Sequence, residues 1–138
     1  MLRLERHPLG GALLHGILPA LYTAIIFVKG SAQADPSAFQ VNDKVAHAVV
    51  FFGLAVVCGP FAGYYLMRGK AELRGAVLGC AAYAAAIGAA LEVWQSRLPH
   101  RTADVWDWVA DAVGVVLAAW LLSVTLPRYV GWRTRSPG

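Results

Sequence analysis

Four long apolar runs, at residues 11–28, 45–67, 75–91 and 105–126, constrain this chain more than any other feature. Each is close to the roughly 17–25 residues that a helix needs to cross the hydrocarbon core of a bilayer. No water is present in that core to satisfy backbone N–H and C=O groups, so a spanning run of this kind must be helical. With 58% hydrophobic and 14% charged residues, the 138-residue chain is also too apolar for an ordinary soluble domain. The expected fold is an all-α, polytopic membrane protein: one domain over residues 1–138, built as a bundle of four transmembrane helices. Arg3 and Arg6 ahead of the first run give it the look of a signal peptide. The run is long for the apolar part of one, and "KGSAQADP" offers only a weak cleavage site, so it is read as a span.

The connections set the topology. "RGKAELRG" and "QSRLPHRTA" are short enough that the second, third and fourth spans must be antiparallel neighbours, which gives an up-down bundle. The longest polar segment, about residues 29–44, is too short to be a soluble domain. Taking alternate polar segments as one side of the membrane places eight Lys and Arg residues with the two termini and four on the other side. The positive-inside rule then puts both termini in the cytoplasm. Gly59 and Gly63, Gly75 and Gly79, and Gly114 and Ala118 repeat small residues at helical spacing, which lets helix backbones approach closely. Pro19 and Pro60 are positions where a span can kink. Cys58 and Cys80 lie deep in apolar runs and read as small buried hydrophobes. Trp94, Trp106 and Trp108 near the outer boundary, and Tyr64, Tyr65, Tyr129 and Trp132 near the inner one, read as interfacial anchors.

The acids are distributed unevenly. Glu5 and Glu72 fall on the cytoplasmic side of this topology, whereas Asp35, Asp43, Glu92, Asp104, Asp107 and Asp111 fall on the opposite side or in the outer half of a span. Asp43 and His47 share a helical face, as do Glu92 and Gln95, and Asp104, Asp107 and Asp111 form an i, i+3, i+7 stripe. At about 1.5 Å of rise per residue, Asp111 lies roughly 10 Å deeper than Asp104. A carboxylate at that depth facing lipid costs several kcal/mol, so the stripe must face the bundle interior, a partner or water.

Each residue also has a plain structural explanation. Asp43 and Asp104 are good N-caps, and a lone His47 is more often a satisfied buried histidine than a ligand. Glu92 is harder to dismiss, because the dipole at its helix C-terminus disfavours negative charge. Asp107 and Asp111 are too deep to cap anything. Arg101, with His100 beside it, is the preferred counter-charge for the stripe, since its guanidinium can bridge two carboxylates or hold a ligand anion. Arg97 and Lys44 are the alternative counter-charges, although both fit better as interfacial residues that extend toward the headgroups.

Together, "DKVAHAVVFFGLA" and "EVWQSRLPHRTADVWDWVADAVG" resemble the VanZ-like family over roughly residues 40–120. Members carry D-K-x-x-H, then E-x-x-Q, then R-x-x-D-x-x-D-x-x-x-N-x-x-G. The matching positions are Asp43, Lys44 and His47; Glu92 and Gln95; and Arg101, Asp104, Asp107, Asp111 and Gly114. Asp111 departs from the pattern by standing where the family usually has asparagine. That extra acid must be protonated, paired with Arg101 or bound to a cation.

The resemblance implies a small multi-pass protein of the bacterial inner membrane, in a family named for a gene linked to resistance against the glycopeptide teicoplanin. It supplies no mechanism. A membrane enzyme acting on a lipid-linked substrate would use His47, Glu92 and Asp107 as catalytic groups, with Asp43, Lys44, Gln95, Arg101, Asp104 and Asp111 binding the ligand. No nucleophile motif is evident; Ser96 and Thr102 are the nearest hydroxyls. A divalent metal on Asp43, His47, Glu92 and Asp107 is compatible with these residue types, although nothing in the sequence fixes its identity.

A binding protein for a lipid headgroup, cell-wall precursor or glycopeptide would place the same residues around its ligand. The third reading is a salt-bridge network that only fixes helix packing. Membrane lipids are expected partners and nucleic acid is not. A transporter fits poorly, because four short spans leave little room for alternating access unless the protein oligomerises.

Overall fold

The computed structural model describes residues 8–32, 43–99 and 104–135, with side chains placed between residues 15 and 132 of those segments. Among the described residues the chain is all-helical, in the order α1 (Pro8–Ser31), α2 (Asp43–Val57), α3 (Gly59–Met67), α4 (Leu73–Gln95) and α5 (Val105–Arg135). Three helical stretches are long and apolar enough to cross a membrane: Asp43–Met67, which joins α2 to α3, Leu73–Gln95 and Val105–Trp132.

Pro60 accounts for the division of the Asp43–Met67 stretch. It falls in the first turn of α3 and has no N–H to return to the preceding turn, so the helix restarts at Cys58, whose carbonyl accepts from Ala62 N at 3.0 Å. Pro19 interrupts nothing, because α1 runs through it. The turn after α3 closes on Gly69, at φ 63°, with Gly69 N bonding Leu66 O at 3.0 Å and Lys70 N bonding Tyr65 O at 3.0 Å. These two bonds satisfy the last carbonyls of α3, and the positive φ is why glycine stands there.

Packing follows stripes of small and branched residues. On α5, Ala110, Asp111, Gly114, Val115, Ala118 and Leu122 are buried at helical spacing, while Val116, Leu117 and Trp120 face outward. In water such outward apolar surface would be a liability; against lipid it is the expected exterior. The α2–α5 pair forms the tightest seam. A Cβ on Gly114 would lie 2.0 Å from Ala48 O and 2.9 Å from Phe52 N, so only glycine allows these backbones to meet. Phe51, Leu54 and Ala55 of α2 then pack with Ala84 and Leu91 of α4 and with Val115 and Ala118 of α5.

The expected small-residue contacts divide. Gly59 abuts Leu122 and Gly63 abuts Tyr129, whereas Gly75 and Gly79 face open space. Tyr64 is 6% exposed; the His15 ring meets it at a tilt, Tyr65 meets it edge-on, and the Arg68 guanidinium lies 4.7 Å from its ring. These ring and cation contacts hold the Tyr64 side chain at the inner side of α3.

The helix ends determine where the polar residues go. Gln95 Nε2 donates to Gly30 O at 3.0 Å and Trp94 Nε1 donates to Ser31 Oγ at 2.8 Å, tying the C-terminal ends of α1 and α4 together. Lys44 and His47 of the first turns of α2 meet Asp104 and the first turns of α5 at this same end. One end of the bundle therefore holds two helix C-termini and two helix N-termini.

Candidate functional site

Asp104 stands immediately before α5 and does two jobs. Its Oδ1 accepts from Trp106 N at 2.8 Å, which caps the helix, and its Oδ2 lies 2.5 Å from Lys44 Nζ. That ammonium holds the Asp104 carboxyl below its ordinary range, with the Trp106 N–H adding to the effect. Lys44 Nζ also donates to Asp107 Oδ1, one turn further along α5. The counter-charge that the structure describes is therefore Lys44, the alternative to Arg101 that the sequence offers less strongly because lysines at span ends usually reach the interface. Arg101, the preferred counter-charge, lies outside the described residues, as do His100 and Thr102.

Deeper in the bundle, His47 on α2 reaches Asp111 on α5, with Nδ1 and Oδ1 2.8 Å apart, and its Nε2 lies 3.6 Å from Asp107 Oδ2. Two acceptor atoms cannot approach to 2.8 Å without a proton between them, so the pair shares one. Asp111 is 1% exposed and Asp107 8% exposed. From α4, Glu92 Oε2 accepts from Asp104 N at 3.0 Å, which fastens the start of α5 to the end of α4.

The stripe on α5, the Asp43–His47 face of α2 and Glu92 of α4 thus come together as the periodicity predicts. Asp43 is exposed at the first position of α2, yet it offers an oxygen within 4.8 Å of ligand atoms on His47 and Asp107. Gln95 uses its amide nitrogen on the Gly30 carbonyl, which positions α1, and it lines the same cleft as Asp43 and His47. Ser96 Oγ donates to Val93 O at 2.8 Å within its own helix end.

The network does not close on itself. Glu92 Oε1 and Asp111 Oδ2 are buried and have no hydrogen-bond partner among the described residues. Gly88, one turn before Glu92 on α4, makes room for the latter: a Cβ there would sit 3.0 Å from Asp111 Oδ2. The sequence reading missed Gly88, although its spacing of four from Glu92 places it on the same helix face.

Two clefts open beside the cluster. One, of about 260 Å³, has Ile25, Ile26, Phe51 and Leu91 along its walls and reaches Asp43 and His47. The other, of about 360 Å³, runs between α4 and α5 past Glu92, Asp104 and Trp108. A larger cavity of about 570 Å³, beside Cys58 and Cys80, has no charged side chain in its walls and is lined by residues other than those of the cluster. Both cysteines are free and buried, as their place in the apolar runs implied.

Comparison with models of known protein families, with curated proteins and with solved structures finds no match in any of the three.

Proposed function

We propose that this chain is a VanZ-like protein of the bacterial inner membrane whose polar cluster binds or processes a lipid-linked or other cell-envelope ligand. In this reading α1 is a fourth span, both termini are cytoplasmic, and the cluster opens on the extracytoplasmic side. Reporter fusions at Gly69 and Leu98 should then report opposite sides of the membrane.

The observation that carries the ligand reading is the pair of buried, unpartnered carboxylate oxygens on Glu92 and Asp111. A network that serves only to fix helix packing gains most when every member is satisfied, and each buried acceptor left open weakens it. Open acceptors beside a cleft suit a site that a ligand completes. The nearer cleft joins apolar walls to Asp43 and His47, which fits an amphiphile with its chain among Ile26 and Phe51 and its headgroup at the polar rim. In this reading His47 and Glu92 would move protons, and Lys44, Asp104 and Asp107, already joined by ion pairs, would orient polar ligand groups. Arg101 would act beside them as an anion-holding group. A link to glycopeptide resistance follows from the VanZ-like resemblance alone.

The test pairs mass spectrometry of lipids retained by the purified chain with teicoplanin susceptibility of a producing strain. The variants are Asp43→Ala, His47→Ala and Glu92→Ala. The reading expects a headgroup-selective lipid and lowered susceptibility with the wild type, both reduced in the variants. Full function in all three would leave a packing role as the only explanation.

A further inference from the structure

We propose that His47, Glu92 and Asp111 form a site for one divalent transition-metal ion of the manganese, iron or zinc type. The inference rests on the reading of the cluster as an open ligand site and gives that site its first chemical occupant.

Three helices each supply one donor. His47 on α2, Glu92 on α4 and Asp111 on α5 offer ligand atoms that all lie within 4.8 Å of one another. An ion with bonds of about 2.0–2.2 Å holds neighbouring ligands roughly 3–4 Å apart, which a small inward turn of these side chains achieves. Acidic clusters are common without ions; what distinguishes this one is its unsatisfied oxygens. Asp111 is 1% exposed, yet its Oδ2 has no partner among the described residues, and the same holds for the buried Glu92 Oε1. Gly88 keeps the space beside Asp111 Oδ2 free of a side chain.

Charge points the same way. Glu92, Asp104, Asp107 and Asp111 converge on one end of the bundle, and the Lys44 ammonium is engaged by Asp104 and Asp107. Two carboxylates and an imidazole remain, a set that a divalent ion neutralises. The donor chemistry narrows the choice. Imidazole nitrogen with carboxylate oxygen suits zinc, manganese and iron, whereas calcium seeks six to eight oxygens and magnesium keeps most of its waters.

A second triad, Asp43, His47 and Asp107, is also close enough to hold an ion. It is the poorer site, since Asp43 is exposed and Asp107 already accepts from Lys44. Both triads need His47, so the choice between them is testable.

The full chain in lipid nanodiscs is stripped with chelator and titrated with Mn2+, and free Mn2+ is followed by its electron paramagnetic resonance signal. The expected result is one saturable Mn2+ per chain, displaced by Zn2+. Glu92→Gln and Asp111→Asn should each weaken binding by about tenfold or more, since even outer-shell partners matter on that scale. Asp43→Asn, at the rim of the same cluster, should weaken binding far less than either.

Thermal unfolding of the stripped proteins guards against misfolding. Asp111→Asn keeps a side chain of the same shape that can still bond His47, so it should lose the ion while the apoprotein still unfolds cooperatively. Absence of saturable binding by the wild type would overturn the proposal. So would retention of binding in both Glu92→Gln and Asp111→Asn, or loss of it in Asp43→Asn alone. Lipid analysis of the same nanodiscs separates the two readings. Selective lipid retention without Mn2+ binding defeats the cation site only, and Mn2+ binding without lipid selectivity defeats the ligand reading only.

Discussion

Replacing Gly114 with alanine tests the packing that assembles the cluster. In an isolated helix this change stabilises by about 1 kcal/mol, because glycine is the poorer helix former. Here the new Cβ would lie 2.0 Å from Ala48 O, with Ala48 C and Phe52 N each 2.9 Å away, and all three are backbone atoms. Ordinary contact begins near 3.4 Å, so α2 and α5 must move apart by the difference. Ala48 follows His47, and Gly114 lies one turn beyond Asp111. A separation of that size would carry the 2.8 Å His47–Asp111 contact out of hydrogen-bonding range. Overpacking costs about 1–3 kcal/mol and loss of a charged hydrogen bond about 1.5–3 kcal/mol, which outweigh the propensity gain and leave a net loss on the order of 3 kcal/mol. Thermal unfolding in detergent or nanodiscs, with Gly79→Ala beside it, provides the measurement. Gly79 faces open space, so its alanine variant should be neutral or slightly stabilising. A Gly114→Ala protein as stable as the wild type would refute the seam.

Gly88→Ala should change stability little, because Asp111 Oδ2 at 3.0 Å can shift, but it should weaken Mn2+ binding in the nanodisc titration. Lys44→Met should lower the melting temperature by leaving Asp104 and Asp107 without their ammonium, and Lys44→Arg should recover most of the loss. Leu54 is completely buried, and Leu54→Ala should cost about 2 kcal/mol, toward the low end for such changes because lipid is itself as apolar as leucine. Asp104 has a carboxyl held below its ordinary range by Lys44, so its contribution to stability is present at neutral pH and is lost as pH falls through that lowered value. Melting temperatures measured from neutral into acid pH should fall less steeply for Asp104→Asn than for the wild type.

Much of this arrangement is visible in residue spacing. The apolar run lengths locate the helices, and the i, i+3, i+7 stripe places Asp104, Asp107 and Asp111 on one face because the pitch of a helix leaves no alternative. The partner of that stripe is less accessible. Connection lengths make consecutive spans neighbours, but they do not reveal that α2 packs most closely on α5; that depends on one glycine meeting one backbone carbonyl across the bundle. Lys44 illustrates a different limit. A lysine near a span end usually extends to the interface, and only the spacing of Asp104 and Asp107 shows that its amine, still partly exposed, is held across to α5. Its i, i+3 relation to His47 is the clue the sequence held. Gln95 shows the reverse case, since a polar residue on the Glu92 face was drawn to a free helix-end carbonyl of α1.

The site depends above all on the buried, unpartnered Glu92 Oε1 and Asp111 Oδ2 being completed by something other than protein. The most direct measurement is a high-resolution experimental structure of the chain in lipid nanodiscs, refined without restraints on these side chains. The expected result is non-protein density within bonding distance of both oxygens and His47. If a protein donor such as Arg101 satisfies both oxygens, or if the two carboxylates point to different faces of the bundle, the cluster is not a ligand site.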